Sequence, residues 1–178
     1  SGDGEFQGPY GVAVASNGSV YVADSYNHRI QKFTSEGVFV SKWGTEGTGD
    51  GQFNNPYGIA VALDGSVYVV DGRNHRIQKF TSEGVFVTKW GTQGPGNGQF
   101  MLPRGVSVAS DGSVYVADTQ NHRIPKFTSE GVFVIKWGTN GTGDGEFGQS
   151  YEVAVAPDGS VYVADNWNHR IQKFSVGQ

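Results

Sequence analysis

The stretch Asn27-His28-Arg29-Ile30-Gln31-Lys32-Phe33 decides the fold, because its first four residues return as Asn74-His75-Arg76-Ile77, Asn121-His122-Arg123-Ile124 and Asn168-His169-Arg170-Ile171, each time 47 residues further on. Self-similarity at that period marks a solenoid, a propeller or an array, in which each copy is one supersecondary unit that cannot bury its apolar face alone. The 178 residues therefore form a single array over 1–178, divided into four units of about 1–47, 48–94, 95–141 and 142–178.

Ahead of Asn27, Ser19-Val20-Tyr21-Val22-Ala23-Asp24 is β-branched and aromatic and reads as a strand running into the Asn-His-Arg turn. Val12-Ala13-Val14-Ala15 is a short apolar run of the kind a fully buried strand shows, and it ends at Asn17-Gly18. That dipeptide returns as Asp64-Gly65, Asp111-Gly112 and Asp158-Gly159, a hairpin signal expected to place both residues at positive φ. Ile30 to Phe33 gives a third strand, Ser35-Glu36-Gly37 a tight turn, and Val38 to Gly44 a fourth strand. Four antiparallel strands per unit make a blade, so the sequence predicts an all-β protein, a β-propeller of four-stranded blades whose inner strands line a central channel. A β-solenoid fits less well, since its parallel coils do not accommodate hairpin turns.

The fourth unit has nothing that matches Val38 to Gly44, so the last blade is expected to lack its outer strand, leaving fifteen strands. Ser1 to Phe6 corresponds to an inter-blade loop and does not supply the missing strand. The usual closure by a strand from the other terminus is therefore not supplied, and the ring is expected to close another way. The expected remedy is self-association, a homodimer closing head to tail into an eight-bladed ring with two-fold symmetry. A compact monomer and a piece of a longer propeller are the alternatives.

The combination Gly-Gln-Phe-x-x-Pro-x-Gly-Ile-Ala-Val, Asp-Gly-Ser-Val-Tyr-Val-x-Asp and Asn-His-Arg-Ile-Gln-Lys-Phe, complete in residues 51–80, resembles the NHL repeat, and the resemblance covers nearly the whole chain. It implies a propeller, usually of six blades, acting as a protein- or RNA-binding platform; related propellers include a peptide-processing lyase with a metal in its channel. The near identity of the copies points to recent amplification of one unit, in nature or by design.

The absence of cysteine excludes disulfides and thiolate metal sites without fixing a compartment. A net charge of -4 disfavours a broad phosphate-binding surface. No apolar run approaches the roughly 20 residues that span a membrane, and Ser1-Gly2-Asp3-Gly4 lacks the regions of a signal peptide, so the chain reads as soluble.

The differences between copies locate a candidate binding surface. The turns Thr34-Ser35-Glu36-Gly37, Thr81-Ser82-Glu83-Gly84 and Thr128-Ser129-Glu130-Gly131 are identical, whereas variation gathers at the opposite rim. There Ser25-Tyr26, Gly72-Arg73, Thr119-Gln120 and Asn166-Trp167 precede the Asn-His-Arg turns. Pro9-Tyr10-Gly11 and Pro56-Tyr57-Gly58 also become Pro103-Arg104-Gly105 and Ser150-Tyr151-Glu152. Loop residues on a rigid scaffold commonly bind ligands, which makes Tyr26, Arg73, Arg104, Gln120, Glu152 and Trp167 the candidate rim residues. Arg104 and Glu152 are expected to form a solvated pair worth roughly 0–1 kcal/mol, with a role in an asymmetric polar site as the alternative. Pro125, where the other units have Gln31, Gln78 and Gln172, removes a strand donor and requires a bulge or an unused donor position.

The symmetric polar residues read as structural. Asp24, Asp71, Asp118 and Asp165, with Asn27, Asn74, Asn121 and Asn168, are expected to satisfy turn amides, and Arg29, Arg76, Arg123 and Arg170 to pair with the aspartates. His28, His75, His122 and His169 recur once per blade, too far apart to share an ion, and no metal or other cofactor is implied. With no nucleophile elbow or phosphate-binding loop, the chain reads as a non-enzymatic scaffold that self-assembles and presents a rim to an unknown protein or peptide. RNA binding and a lyase-like activity are the alternative readings.

Overall fold

The computed structural model describes residues 1–175. Blade 1 comprises β1 (Pro9–Val14), β2 (Val20–Asp24), β3 (Arg29–Phe33) and β4 (Phe39–Trp43), and blade 2 comprises β5 (Pro56–Val61), β6 (Val67–Asp71), β7 (Arg76–Phe80) and β8 (Phe86–Trp90). Blade 3 follows with β9 (Val106–Val108), β10 (Val114–Val116), β11 (Ile124–Phe127) and β12 (Phe133–Trp137). β13 (Thr139–Asn140) and β14 (Glu146–Phe147) are a short parallel pair in the next inter-blade loop, and blade 4 is β15 (Ser150–Val155), β16 (Ser160–Asp165) and β17 (Arg170–Ser175). Each blade is an antiparallel meander in chain order, and the fourth has three strands among the described residues. The fifteen expected strands are thus joined by one loop pair, which the other two inter-blade loops reduce to the single bridges Glu46↔Phe53 and Gln93↔Phe100. Val176, Gly177 and Gln178, read above as the end of the last blade, lie outside the described residues. No helix among the described residues is long and apolar enough to cross a membrane.

The β1–β2 type of turn differs from the expectation in one respect. Only the glycine takes positive φ, 84° at Gly18 and 87° at Gly65, while Asn17 or Asp64 accepts on Oδ1 the backbone N–H two residues on. The side chain replaces a main-chain acceptor, so a turn closed by a glycine bulge suffices.

β1, β5, β9 and β15 lie in succession around a channel of about 310 Å3. Their close approach depends on the third residue of each Pro-x-Gly. A Cβ at Gly11 would lie 2.5 Å from the Tyr57 carbonyl oxygen, and one at Gly58 would lie 2.5 Å from that of Arg104.

Between successive blades the same apolar layer forms three times. Tyr21, Ala23 and Ile30 of blade 1 meet Phe53, Ile59, Val67, Val69 and Phe80 of blade 2, and the corresponding residues join blade 2 to blade 3 and blade 3 to blade 4. Full burial of each large side chain contributes on the order of 1.5–3 kcal/mol. Trp43 and Trp90 pack on this layer with tilted rings, their centroids 5.6 and 5.8 Å from those of Phe80 and Phe127.

The Asp-Asn-Arg group forms a clamp across that layer's rim. Asp71 is fully buried; it accepts the Asn54 backbone N–H at 2.8 Å, Arg76 Nε at 2.7 Å, and the side-chain amides of Asn74 at 2.9 Å and Gln78 at 3.1 Å. The Arg76 guanidinium donates onward to the carbonyls of Thr48, Gly49 and Gln52 in the preceding inter-blade loop. The aspartates therefore hold that loop's amide rather than amides of their own turn, and all four pair with their arginines at 2.7–2.8 Å. The turn itself is a single 3₁₀ turn closed by a histidine at φ 52–54°, a left-handed position. Nδ1 of His28 and His75 accepts the N–H of Asn55 and Leu102 from the next loop, and burial lowers the pKa of His75 despite nearby Asp118 and Asp71, consistent with a neutral ring. His122 instead meets the Gly148 carbonyl through Nδ1, which requires a proton on that nitrogen.

Pro125 interrupts this scheme in blade 3. In blade 2 the central ladder runs without a gap from Val67↔Phe80 to Asp71↔Arg76, but in blade 3 it stops after Tyr115↔Lys126 and resumes only as the bridge Asp118↔Arg123. Also lost are the equivalents of the two bonds by which Gln78 accepts the Gly51 N–H on Oε1 and donates from Nε2 to the Gln52 carbonyl. Pro125→Gln should therefore raise stability by roughly 1–3 kcal/mol, read as a higher denaturant midpoint at unchanged slope. Asp71→Ala leaves Arg76 buried without its partner and should cost about 3–5 kcal/mol in the same measurement, whereas Asp64→Ala at an exposed turn should cost about 1 kcal/mol or less.

Candidate functional site

The b–c turns and the inter-blade loops are tied together at one rim. The N–H groups of Tyr26, Arg73, Gln120 and Asn166 donate to the carbonyls of Gln7, Asn54, Met101 and Gln149. This bonding sets the variable residues of both loop sets side by side. Just inside the rim, the second residues of the four inner-strand starts form an arc of Tyr10, Tyr57, Arg104 and Tyr151 around the channel mouth.

Arg104 is the odd member of that arc. Its guanidinium carbon lies 4.3 Å from the Tyr151 ring centre and 5.6 Å from that of Tyr57, and the Tyr57 and Tyr10 rings are 5.0 Å apart. Burial works against the charge, but a hydrogen bond to Tyr10 and the surrounding phenols outweigh it and raise the arginine pKa further. Gly72 makes room for this packing, since a Cβ there would fall 2.2 Å from the Tyr57 ring. A serine, a threonine and an asparagine occupy the equivalent positions Ser25, Thr119 and Asn166, so the exchange to glycine and the exchange to arginine belong to one local arrangement.

Three candidate rim residues meet here. Tyr26, Arg73 and Arg104 line a cleft of about 360 Å3 together with Tyr10, Tyr57 and Asn55. Gln120 and Trp167 are exposed elsewhere on the rim, Trp167 at 62%. Glu152 lies on the channel wall with Val12, Ile59 and Val106. Its edge remains open to solvent, yet the strands around it remove enough water from the carboxylate to raise its pKa, against hydrogen bonds from the N–H groups of Val153 and Val106. Arg104 and Glu152 make no ion pair among the described residues, and the arginine's neighbours are tyrosines. Tyr10, Tyr57 and Tyr151 were not among the candidates from sequence, although their equivalence to Arg104 at 47-residue spacing was the available signal.

Chemically, the cleft offers two cations, several phenol faces and hydroxyls, and no facing carboxylate among its lining residues. The symmetric aspartates, asparagines and arginines are occupied in the inter-blade clamps, and no group of three or more potential metal ligands occurs among the described residues.

Comparison with known proteins agrees with this architecture. A 42-residue segment is 50% identical to protein lin-41 of Caenorhabditis elegans, covering 24% of this chain and 4% of that protein. Among solved structures, streptogramin B lyase superposes with a TM-score of 0.71 at 16% identity, over 95% of this chain and 55% of that one. A chain of the nidogen–laminin complex gives a TM-score of 0.70 at 15% identity, over 93% of this chain and 60% of that one. At these identities the likeness is one of fold, and this chain spans little more than half the length of either structural neighbour. The NHL repeat model matches residues 6–33, 53–80, 100–127 and 153–174, one match in each blade. With more than half of its length matched in four successive blades, the chain belongs to the NHL-repeat family.

Proposed function

We propose that the chain is a non-catalytic interaction scaffold whose rim binds a protein partner through an acidic segment placed in the cleft between Tyr10, Tyr57, Arg73 and Arg104. The observation that carries this reading is Arg104, a partly buried guanidinium held among tyrosines without a carboxylate partner among the described residues. A carboxylate entering the cleft would meet Arg104 in a surrounding drier than bulk water, where charge-assisted bonds contribute about 1.5–3 kcal/mol each. The phenol faces of Tyr26 and Tyr57 suit the apolar side chains that flank acidic residues in a peptide. The presence of a nidogen–laminin chain among the structural neighbours supports a protein partner. The symmetric polar residues support a non-catalytic role, since they are engaged in holding the blades.

The test is fluorescence anisotropy of a labelled oligoglutamate peptide flanked by aromatic residues, run beside a single-stranded RNA of equal length. The wild-type chain should bind the peptide in preference to the RNA, and Arg104→Tyr, which restores the residue that the other units carry, should weaken it at least about tenfold at unchanged thermal midpoint. No peptide binding at low salt, or a preference for RNA, overturns this reading.

A further inference from the structure

Each internal blade junction joins one kind of face to another. The leading face supplies Tyr21, Ala23 and Ile30 or their equivalents, and the receiving face supplies Phe53, Ile59, Val67, Val69 and Phe80 or theirs. Two faces have no neighbour among the described residues, and they are one of each kind. Blade 4 carries a leading face, on which Ile171 is 67% exposed although Ile30, Ile77 and Ile124 are at 0%. Blade 1 carries a receiving face, on which Val12 is 65% exposed although Ile59, Val106 and Val153 are at 6%, 4% and 3%.

Polar groups match in the same register. Tyr21 Oη and Lys32 Nζ both donate at 2.9 Å to the Ser82 carbonyl of the next blade, and Tyr68 and Lys79 donate to that of Ser129. Blade 4 presents the equivalents Tyr162 and Lys173, and the acceptor one repeat before Ser82 is the Ser35 carbonyl of blade 1. His28 and His75 receive the N–H of left-handed residues Asn55 and Leu102; the equivalent pair is His169 with Gly8, whose φ of 58° is already left-handed.

We infer that the exposed face of blade 4 docks on the exposed face of blade 1 of a second copy, and that two copies close into an eight-bladed ring through two such head-to-tail junctions. A second copy is the occupant because its face matches residue by residue what each internal junction already buries. Two copies are the closing number because propellers typically hold four to eight blades, a limit that three copies of four blades exceed. Glu152 makes the new junction differ from the internal ones: it stands where Gly11, Gly58 and Gly105 let the next inner strand approach, so the two copies meet less closely at the channel wall.

Light scattering over the micromolar range tests the assembly. The wild-type chain should weigh twice its 19.1 kDa. Val12→Glu and Ile171→Glu alter side chains exposed in the single chain, so each should keep its circular dichroism spectrum while weakening dimerisation at least tenfold. A mixture of the two variants forms one unaltered junction and should associate more tightly than either alone. Glu152→Gly should tighten the wild-type dimer severalfold. A wild-type chain that stays at 19.1 kDa, a dimer indifferent to both glutamate variants, or a mixture no tighter than its components overturns the inference.

Discussion

The structure depends on one constraint: a twisted four-stranded sheet with apolar side chains on both faces cannot shield either face by itself. Ile77, Tyr68 and Val70 leave water only because Phe100, Val106 and Val116 of the following blade are laid against them. Stability therefore resides in junctions more than in blades, and the blades behave as nearest neighbours in a row. The glycines at the inner strands follow from the same constraint, because the layer closes only if the backbones of adjacent inner strands approach within van der Waals distance.

The polar clamp solves a second problem that the apolar layer creates. Passing from the outer strand of one blade to the inner strand of the next requires a long loop whose amides and carbonyls would otherwise lie against a dry interior. Asp71 and Arg76 take up those groups one by one, and each buried charge is matched by the other. The arrangement costs desolvation but fixes the loop, and with it the rim. Function, in this view, is confined to positions the clamp does not use, which is why the cleft around Arg104 sits immediately beside clamp residues yet shares none of them.

Much of this was legible in the sequence. The 47-residue period, the alternating strands and the turn dipeptides specify the blade, because each reflects a local physical requirement that is repeated four times. The pairing of each arginine with its aspartate was legible for the same reason. What the clamp holds was not legible, since the Asn54 amide is 17 residues from Asp71 and only the closed loop brings them together. Arg104 was identified as an exception, but its partners were read wrongly: charge suggested Glu152, whereas the curvature of the inner strands brings Tyr57 and Tyr151 to it. Pro125 was recognised as a lost donor, and the ladder shows the loss to extend over several register positions rather than one.

The histidines, identical in sequence context, are not chemically equivalent in the fold. His28 and His75 each hold the neighbouring blade by accepting its backbone N–H on an unprotonated Nδ1, and burial keeps the pKa of His75 below the ordinary imidazole value. His122 instead donates from Nδ1 to the Gly148 carbonyl, so the same ring is acceptor at two junctions and donor at the third. The seam between blades 3 and 4 is thus joined in the opposite sense from the two before it, ring to carbonyl rather than amide to ring. Four near-copies of one unit have in this way acquired one seam that differs from the others.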